Sequence, residues 1–156
     1  MIKALRVDHR LLHGQVAFSW TQAIGADCIL LCSDSLVKDN LRLQTIKLAK
    51  PSGIRVVAKS VEGSLKAIQS GVTDKYKLFI ICEDIESAAR ISRELNIKAI
   101  NLGGTYPSND KHEISKSVFV NDADIALLKE LIGGGIDVFC QQVPANSKVS
   151  VQTLIK

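Results

Sequence analysis

The chain has 156 residues, 46% of them hydrophobic and 23% charged, and 20 Lys and Arg against 16 Asp and Glu give a formal net charge of +4. That length suits one domain with a real core, and that composition excludes a disordered chain or a disulfide scaffold. Aromatic residues make up only 4%, the lysines are scattered, and no run approaches the roughly 18 to 20 apolar residues that span a bilayer, so neither nucleic-acid binding nor membrane insertion is expected.

In chain order, the opening run IKALRVD reads as a strand, and the N-terminus lacks the apolar core of a signal peptide, so a cytoplasmic chain is expected. GQVAFSWTQAIG follows with apolar residues at helical spacing and a terminal glycine, and DCILLCS is a second strand. SLVKDNLRLQTIKLAK reads as one helix ending before Pro51, and GIRVVAKS as the next strand. The alternation continues through VEGSLKAIQSG (helix), YKLFIICE (strand), ESAARISRELN (helix), IKAINLG and SVFVN (strands), DADIALLKELIGGG (helix) and IDVFCQQV (strand). Gly133 to Gly135 follow a helix and precede a strand, the reverse of a dinucleotide-binding loop, and read as a helix end.

Cys28, Cys32, Cys82 and Cys140 all lie in strand-like runs without a CxxC pair or a zinc-site spacing, so they read as buried thiols in a reducing compartment, and no metal site is expected. Strands alternating with helices predict a single α/β domain over residues 1–156: one open, doubly wound, mostly parallel sheet with helices on both faces. In such a sheet ligands bind at the carboxyl ends of the strands, and DHRLLHG, after the first strand, lies on that rim.

His13 stands at the start of the first predicted helix, where unpaired backbone N–H groups and the helix dipole favour an anion. Gly14 leaves the backbone open to phosphate oxygens, and Arg10 supplies a forked, permanently charged donor. Asp8 is placed to accept from an imidazole N–H or from Arg10. The cluster reads as a phosphohistidine site; the plainer reading is a surface ion pair between Asp8 and Arg10 beside solvated histidines, and the residues alone leave the two open.

LRVDHRLLHGQVAFSW, from Leu5 to Trp20, resembles the opening motif of the sugar-specific IIB components of the mannose/fructose/sorbose family of the bacterial phosphoenolpyruvate-dependent phosphotransferase system. Similarity continues in family order through DSLVKDNLRLQTIKLAKPSGIRV, NLGGT, VNDADIALLKEL and GIDVFCQQVP, nearly the whole chain. The resemblance implies that His13 accepts a phosphoryl group from a IIA domain and passes it to sugar bound by the membrane-embedded IIC and IID subunits. It implies that Arg10 steadies the phosphoryl group and that Asp8 and Gln15 shape the loop. It implies no cofactor, a cytoplasmic chain held at the inner face of the membrane through the transporter subunits, and possible association with a second copy. The departure is His9, at a position that often carries an acidic residue, and it is expected to face solvent.

Other rim candidates are Asp34 and Ser35 after the second strand, equally explained as helix caps, and Gly103, Gly104 and Thr105 of NLGGT, equally explained as a turn. Gln141 and Gln142 are peripheral, His112 a surface residue and Trp20 a core residue. Two other functions fit parts of the pattern. A histidine phosphatase or mutase also uses a His-Gly pair after its first strand, but Arg10 is three positions from His13 and a second catalytic histidine is hard to place. A non-catalytic regulatory module shares the fold, against which stands the complete set Asp8, Arg10, His13, Gly14 and Gln15.

Overall fold

The computed structural model describes residues 1–155, with the side chain of Gln15 outside that description. The chain runs β1 (Ile2–Asp8), α1 (Gly14–Ile24), β2 (Cys28–Cys32), a 3₁₀ turn (Leu36–Lys38), α2 (Asn40–Lys47), β3 (Arg55–Lys59), α3 (Val61–Gln69), β4 (Leu78–Cys82) and α4 (Ile85–Leu95). It continues with β5 (Ala99–Gly104), β6 (His112–Ser115), β7 (Val118–Val120), α5 (Asp122–Gly133), β8 (Asp137–Cys140), β9 (Val149–Ser150) and a 3₁₀ turn at Val151–Thr153. Seven strands form one sheet in the order β3-β2-β4-β1-β5-β8-β9, with β9 antiparallel to β8 and the other six strands parallel. This is the open, mostly parallel α/β sheet expected from the alternating pattern.

Alternation along each strand divides the sheet into two faces. Cys28, Leu30, Cys32, Leu78, Ile80 and Cys82 share a core with α3, α4 and α5, whereas Ile29, Leu31, Phe79 and Ile81 pack with Ala17 and Trp20 of α1 and Ile46 of α2. Leu5 and Val7 of β1 join the first core. The same alternation therefore turns Arg6 and Asp8 toward α1, an unusual place for a buried arginine and a buried aspartate. β1 is central, with Arg6 level with Ile81 of β4 and Asn101 of β5, so its carboxyl end opens in the middle of the rim.

Two expectations need correction, and one strand was not anticipated. SLVKDNLRLQTIKLAK is not one helix: Asp39 breaks it, its carboxylate accepting the Arg42 N–H at 3.0 Å as the cap of α2. SVFVN is a strand, but β7 pairs antiparallel with β6 in a separate two-stranded ribbon and adds nothing to the parallel sheet. The polar run around His112 forms β6, because its partner β7 is close in sequence and satisfies its backbone. The four cysteines are buried and free, and burial pushes the Cys140 thiol up to about 11.

Candidate active site

β1 delivers Asp8 to the rim, and the chain then turns sharply, the Leu11 N–H donating to the Asp8 carbonyl at 2.9 Å. Leu11 takes left-handed backbone (φ 60°), a conformation costing about 1 kcal/mol or more for a residue with a Cβ. Burial holds it there: Leu11 and Leu12 both sink into the core beneath α1. The two leucines anchor the loop from below, and Arg10 and His13 emerge from it. His13 is the cap residue of α1 without bonding its side chain to the helix, and Gly14 follows at φ 43°. The first backbone N–H groups of a helix lack intrahelical acceptors, so this end of α1 faces the rim with free donors.

Asp8 is the centre of the site. Its side chain is 1% exposed, and it accepts from Arg10 Nε at 3.0 Å, Arg10 Nη2 at 3.2 Å, the Arg10 backbone N–H at 3.1 Å and Arg6 Nη2 at 3.4 Å. His13 Nε2 lies 3.1 Å from Asp8 Oδ2. Burial pushes the Asp8 carboxyl up, but the hydrogen bonds from His13 and Arg10 and the charge of Arg6 outweigh it and hold the group well below the usual carboxylate range. The Asp8–Arg10 contact is thus no surface ion pair: a buried carboxylate is held ionised by two guanidinium groups. An ionised Asp8 accepts the proton on Nε2, which leaves the Nδ1 lone pair of a 27% exposed ring for chemistry.

Arg6 lies within the Leu5–Trp20 motif but had no role in the sequence reading, because its spacing shows only a charged residue in a strand. It is 1% exposed, stacks 5.4 Å over the Trp20 ring, and donates to the carbonyls of Gln141 at 2.9 Å and Gln142 at 3.1 Å. Gly103 is required beside it, since a Cβ there would collide with the guanidinium. Trp20 packs in the core as expected and also donates its indole N–H to the Gln142 carbonyl at 2.9 Å. Gln141 and Gln142 act through backbone carbonyls that fix Arg6, and the Gln142 amide also donates to the Gly103 carbonyl.

The remaining candidates divide. Gly104 lies against Arg10, Asp8 and His9, and its carbonyl accepts the His9 N–H at 3.1 Å. Thr105 is spent elsewhere: its hydroxyl donates to the Phe119 carbonyl and accepts the Phe119 N–H, both at 2.6 Å, strapping the β6–β7 ribbon to β5. Asp34 accepts the Val61 N–H at 2.9 Å and so secures the start of α3, while Ser35 donates to Glu83 Oε2 at 2.7 Å. His9 does not simply face solvent. Its Nδ1 is buried without a partner among the described residues, its ring meets Tyr106 edge-on at 5.7 Å, and burial pulls its pKa below the ordinary value despite Asp8. A cleft of about 510 Å³ opens beside it, lined by Ser33, Ser35, Glu83, Thr105 and Tyr106, and His13 stands outside this cleft.

A model of the sorbose subfamily of phosphotransferase-system IIB components matches residues 2–156. A probable phosphotransferase enzyme IIB component of Streptococcus pyogenes serotype M6 is 32% identical, covering 99% of both chains. The mannose-specific EIIAB component of Escherichia coli is 24% identical over 99% of this chain and 48% of its own length. The IIBSor domain of the sorbose permease from Klebsiella pneumoniae superposes with a TM-score of 0.93 at 25% identity, covering 99% of this chain and 96% of that one. The fold, the match along the chain and the relatives agree: the chain belongs to the sorbose subfamily of phosphotransferase-system IIB components, the sugar phosphotransferases that carry phosphoryl groups in sugar uptake.

Proposed function

We propose that residues 1–156 work as one IIB domain in which His13 Nδ1 is the phosphoryl acceptor. The observation that carries this is the Asp8–His13 contact: Nε2 is occupied by an ionised, buried carboxylate, and Nδ1 is left on an exposed ring at the N-terminal end of α1. The Nδ1 lone pair attacks phosphorus on the phosphohistidine of a IIA domain, and the donor's N–P bond breaks with its electron pair returning to the donor ring. A sugar hydroxyl then attacks the same phosphorus, the His13 N–P bond breaks, and the hydroxyl proton leaves to solvent. Such transfer depends on alignment and positive charge. Arg10 supplies that charge: Nε and Nη2 bind Asp8, leaving Nη1 without a protein partner among the described residues. The free N–H groups at the start of α1 complete the cradle, with Gly14 keeping the approach open.

His13 lies outside the neighbouring cleft, which suits a group that meets macromolecules better than one that encloses a small substrate. The partners in this reading are a IIA domain, supported by the EIIAB relative of which this chain matches about half, and IIC and IID subunits presenting the sugar. In this reading the protein works in the cytoplasm, at the inner membrane face, beside the subunits that present the sugar. The test is phosphoryl transfer from phosphoenolpyruvate through the general phosphotransferase proteins and a IIA domain to wild type, His9→Ala and His13→Ala, read by mass spectrometry. Loss of an acid-labile adduct in His13→Ala alone is expected, and loss in His9→Ala alone moves the acceptor.

A further inference from the structure

The turn that carries Arg10 is held from outside by a group the phosphoryl chemistry does not use. Asp8 to Leu11 form a four-residue turn closed by the Leu11 N–H on the Asp8 carbonyl, with His9 and Arg10 at its centre. The peptide joining those two residues is bonded at both ends. Its N–H, that of Arg10, donates to Asp8 Oδ1 at 3.1 Å, and its carbonyl, that of His9, accepts from Arg42 Nη2 at 3.2 Å. Arg42 belongs to α2, 33 residues away. Its other terminal nitrogen, Nη1, donates to Glu83 Oε1 at 3.2 Å and reaches Ser35 Oγ at 3.4 Å. Glu83, past the end of β4, is in turn fixed by the hydroxyls of Ser33 and Ser35.

The central peptide of such a turn is its soft point, because rotating that one unit interconverts turn types with little movement of the flanking chain. Here the rotation would withdraw the Arg10 N–H from Asp8 and swing the negative end of the peptide dipole toward the carboxylate and the phosphoryl position. We propose that Arg42, braced by Glu83, is a positioning residue for phosphoryl transfer: it holds the 9–10 peptide in the orientation that keeps Arg10 on Asp8 and presents N–H rather than C=O to the anion. Arginine is suited to this, since its planar fork bonds the His9 carbonyl and Glu83 together, whereas a lysine ammonium is a single point of contact. The proposal rests on the reading of the Asp8–His13 loop as the phosphoryl site.

The experiment is steady-state phosphorylation by phosphorylated IIA domain of wild type, Arg42→Gln, Arg42→Lys and Glu83→Ala, with Arg90→Gln as a charge-matched control on α4. Amide hydrogen exchange at Arg10 is measured in the same proteins. Losing a charge-assisted hydrogen bond that orients the site is expected to lower kcat about tenfold in Arg42→Gln, with the KM for IIA within about twofold. Arg42→Lys is expected to recover part of the rate, Glu83→Ala to fall between wild type and Arg42→Gln, and Arg90→Gln to match wild type. Arg10 exchange is expected to quicken about tenfold in Arg42→Gln while the thermal midpoint moves little. An unchanged kcat, a KM effect alone, which would make Arg42 a docking residue, or unchanged Arg10 exchange each overturns the proposal. If wild type takes no phosphate from IIA, the functional reading fails, and exchange at Arg10 still decides whether the clamp exists.

Discussion

Asp8 Oδ2 and His13 Nε2 lie 3.1 Å apart, five residues apart in sequence but joined across a turn, and this contact decides which imidazole nitrogen is free. Asp8→Asn preserves volume and removes the charge that opposes Arg6 and Arg10. Phosphorylation of His13 is expected to slow by about 10²-fold, as a misaligned nucleophile does. The variant is also expected to lose about 3 kcal/mol of stability or more, because Arg6 stays buried without its counter-ion. The Asp8 carboxyl titrates lower in the folded state than in the unfolded, so its contribution is full above about pH 4 and fades as pH falls further. Urea denaturation of both proteins from neutral to acid pH checks this: the stability gap narrows below about pH 4.

Gly103→Ala and Gly133→Ala form a matched pair. A Cβ at Gly103 meets the Arg6 guanidinium, which is fixed by two carbonyls and the Trp20 ring, whereas at Gly133 nothing lies within 4 Å. Gly103→Ala is expected to cost about 2 kcal/mol or more and to slow phosphoryl transfer by displacing Arg6 from Asp8. Gly133→Ala is expected to stay within about 0.5 kcal/mol of wild type. Thermal midpoints and transfer rates measured together distinguish this from a general intolerance of alanine.

His9 carries a pH dependence of the opposite origin. Burial disfavours its charged form, so the unfolded chain binds more protons than the folded one as pH drops below the ordinary histidine value near 6.5. Stability is therefore expected to rise with pH through that region, and His9→Gln to flatten the rise. Midpoints at about pH 5.5 and about pH 7.5 for both proteins give the answer; an equal slope in the variant would remove His9 as its source.

Thr105→Val separates fold from chemistry. The substitution removes two hydrogen bonds to the Phe119 backbone, and a cost of about 1 to 3 kcal/mol with faster exchange in the β6–β7 ribbon is expected. Transfer to His13 is expected to continue at the wild-type rate, since the Thr105 hydroxyl faces the ribbon. A transfer defect at unchanged stability would place Thr105 in the site after all.

Strands, helices and the gathering of charged groups in the loop after β1 were legible because each rests on short-range physics. Short continuous apolar runs become strands buried on both faces, as in CILLC and LFIIC, and Gly25 and Asn96 end α1 and α4 in left-handed backbone as their residue types suggest. The grouping of Asp8, Arg10 and His13 was legible for the same reason, since a tight turn brings residues two to five apart together whatever the rest of the chain does. The break at Asp39 was missed because apolar spacing runs on through it from Leu36 to Leu43, although the aspartate has the right chemistry to cap.

The sequence by itself determined the alternating α/β order, the rim position of the first loop and the identity of the groups gathered there. The tertiary structure alone decided what surrounds them: Arg6 bonded to carbonyls 135 and 136 residues away, Arg42 on the His9 carbonyl, Thr105 turned to a ribbon and SVFVN withdrawn from the parallel sheet. Local patterning is set by neighbours within a turn or a strand, whereas these partners meet only when distant strands pair and deliver their ends to one rim. A buried arginine and a surface arginine are then the same letter, distinguished by what the closed fold places around them.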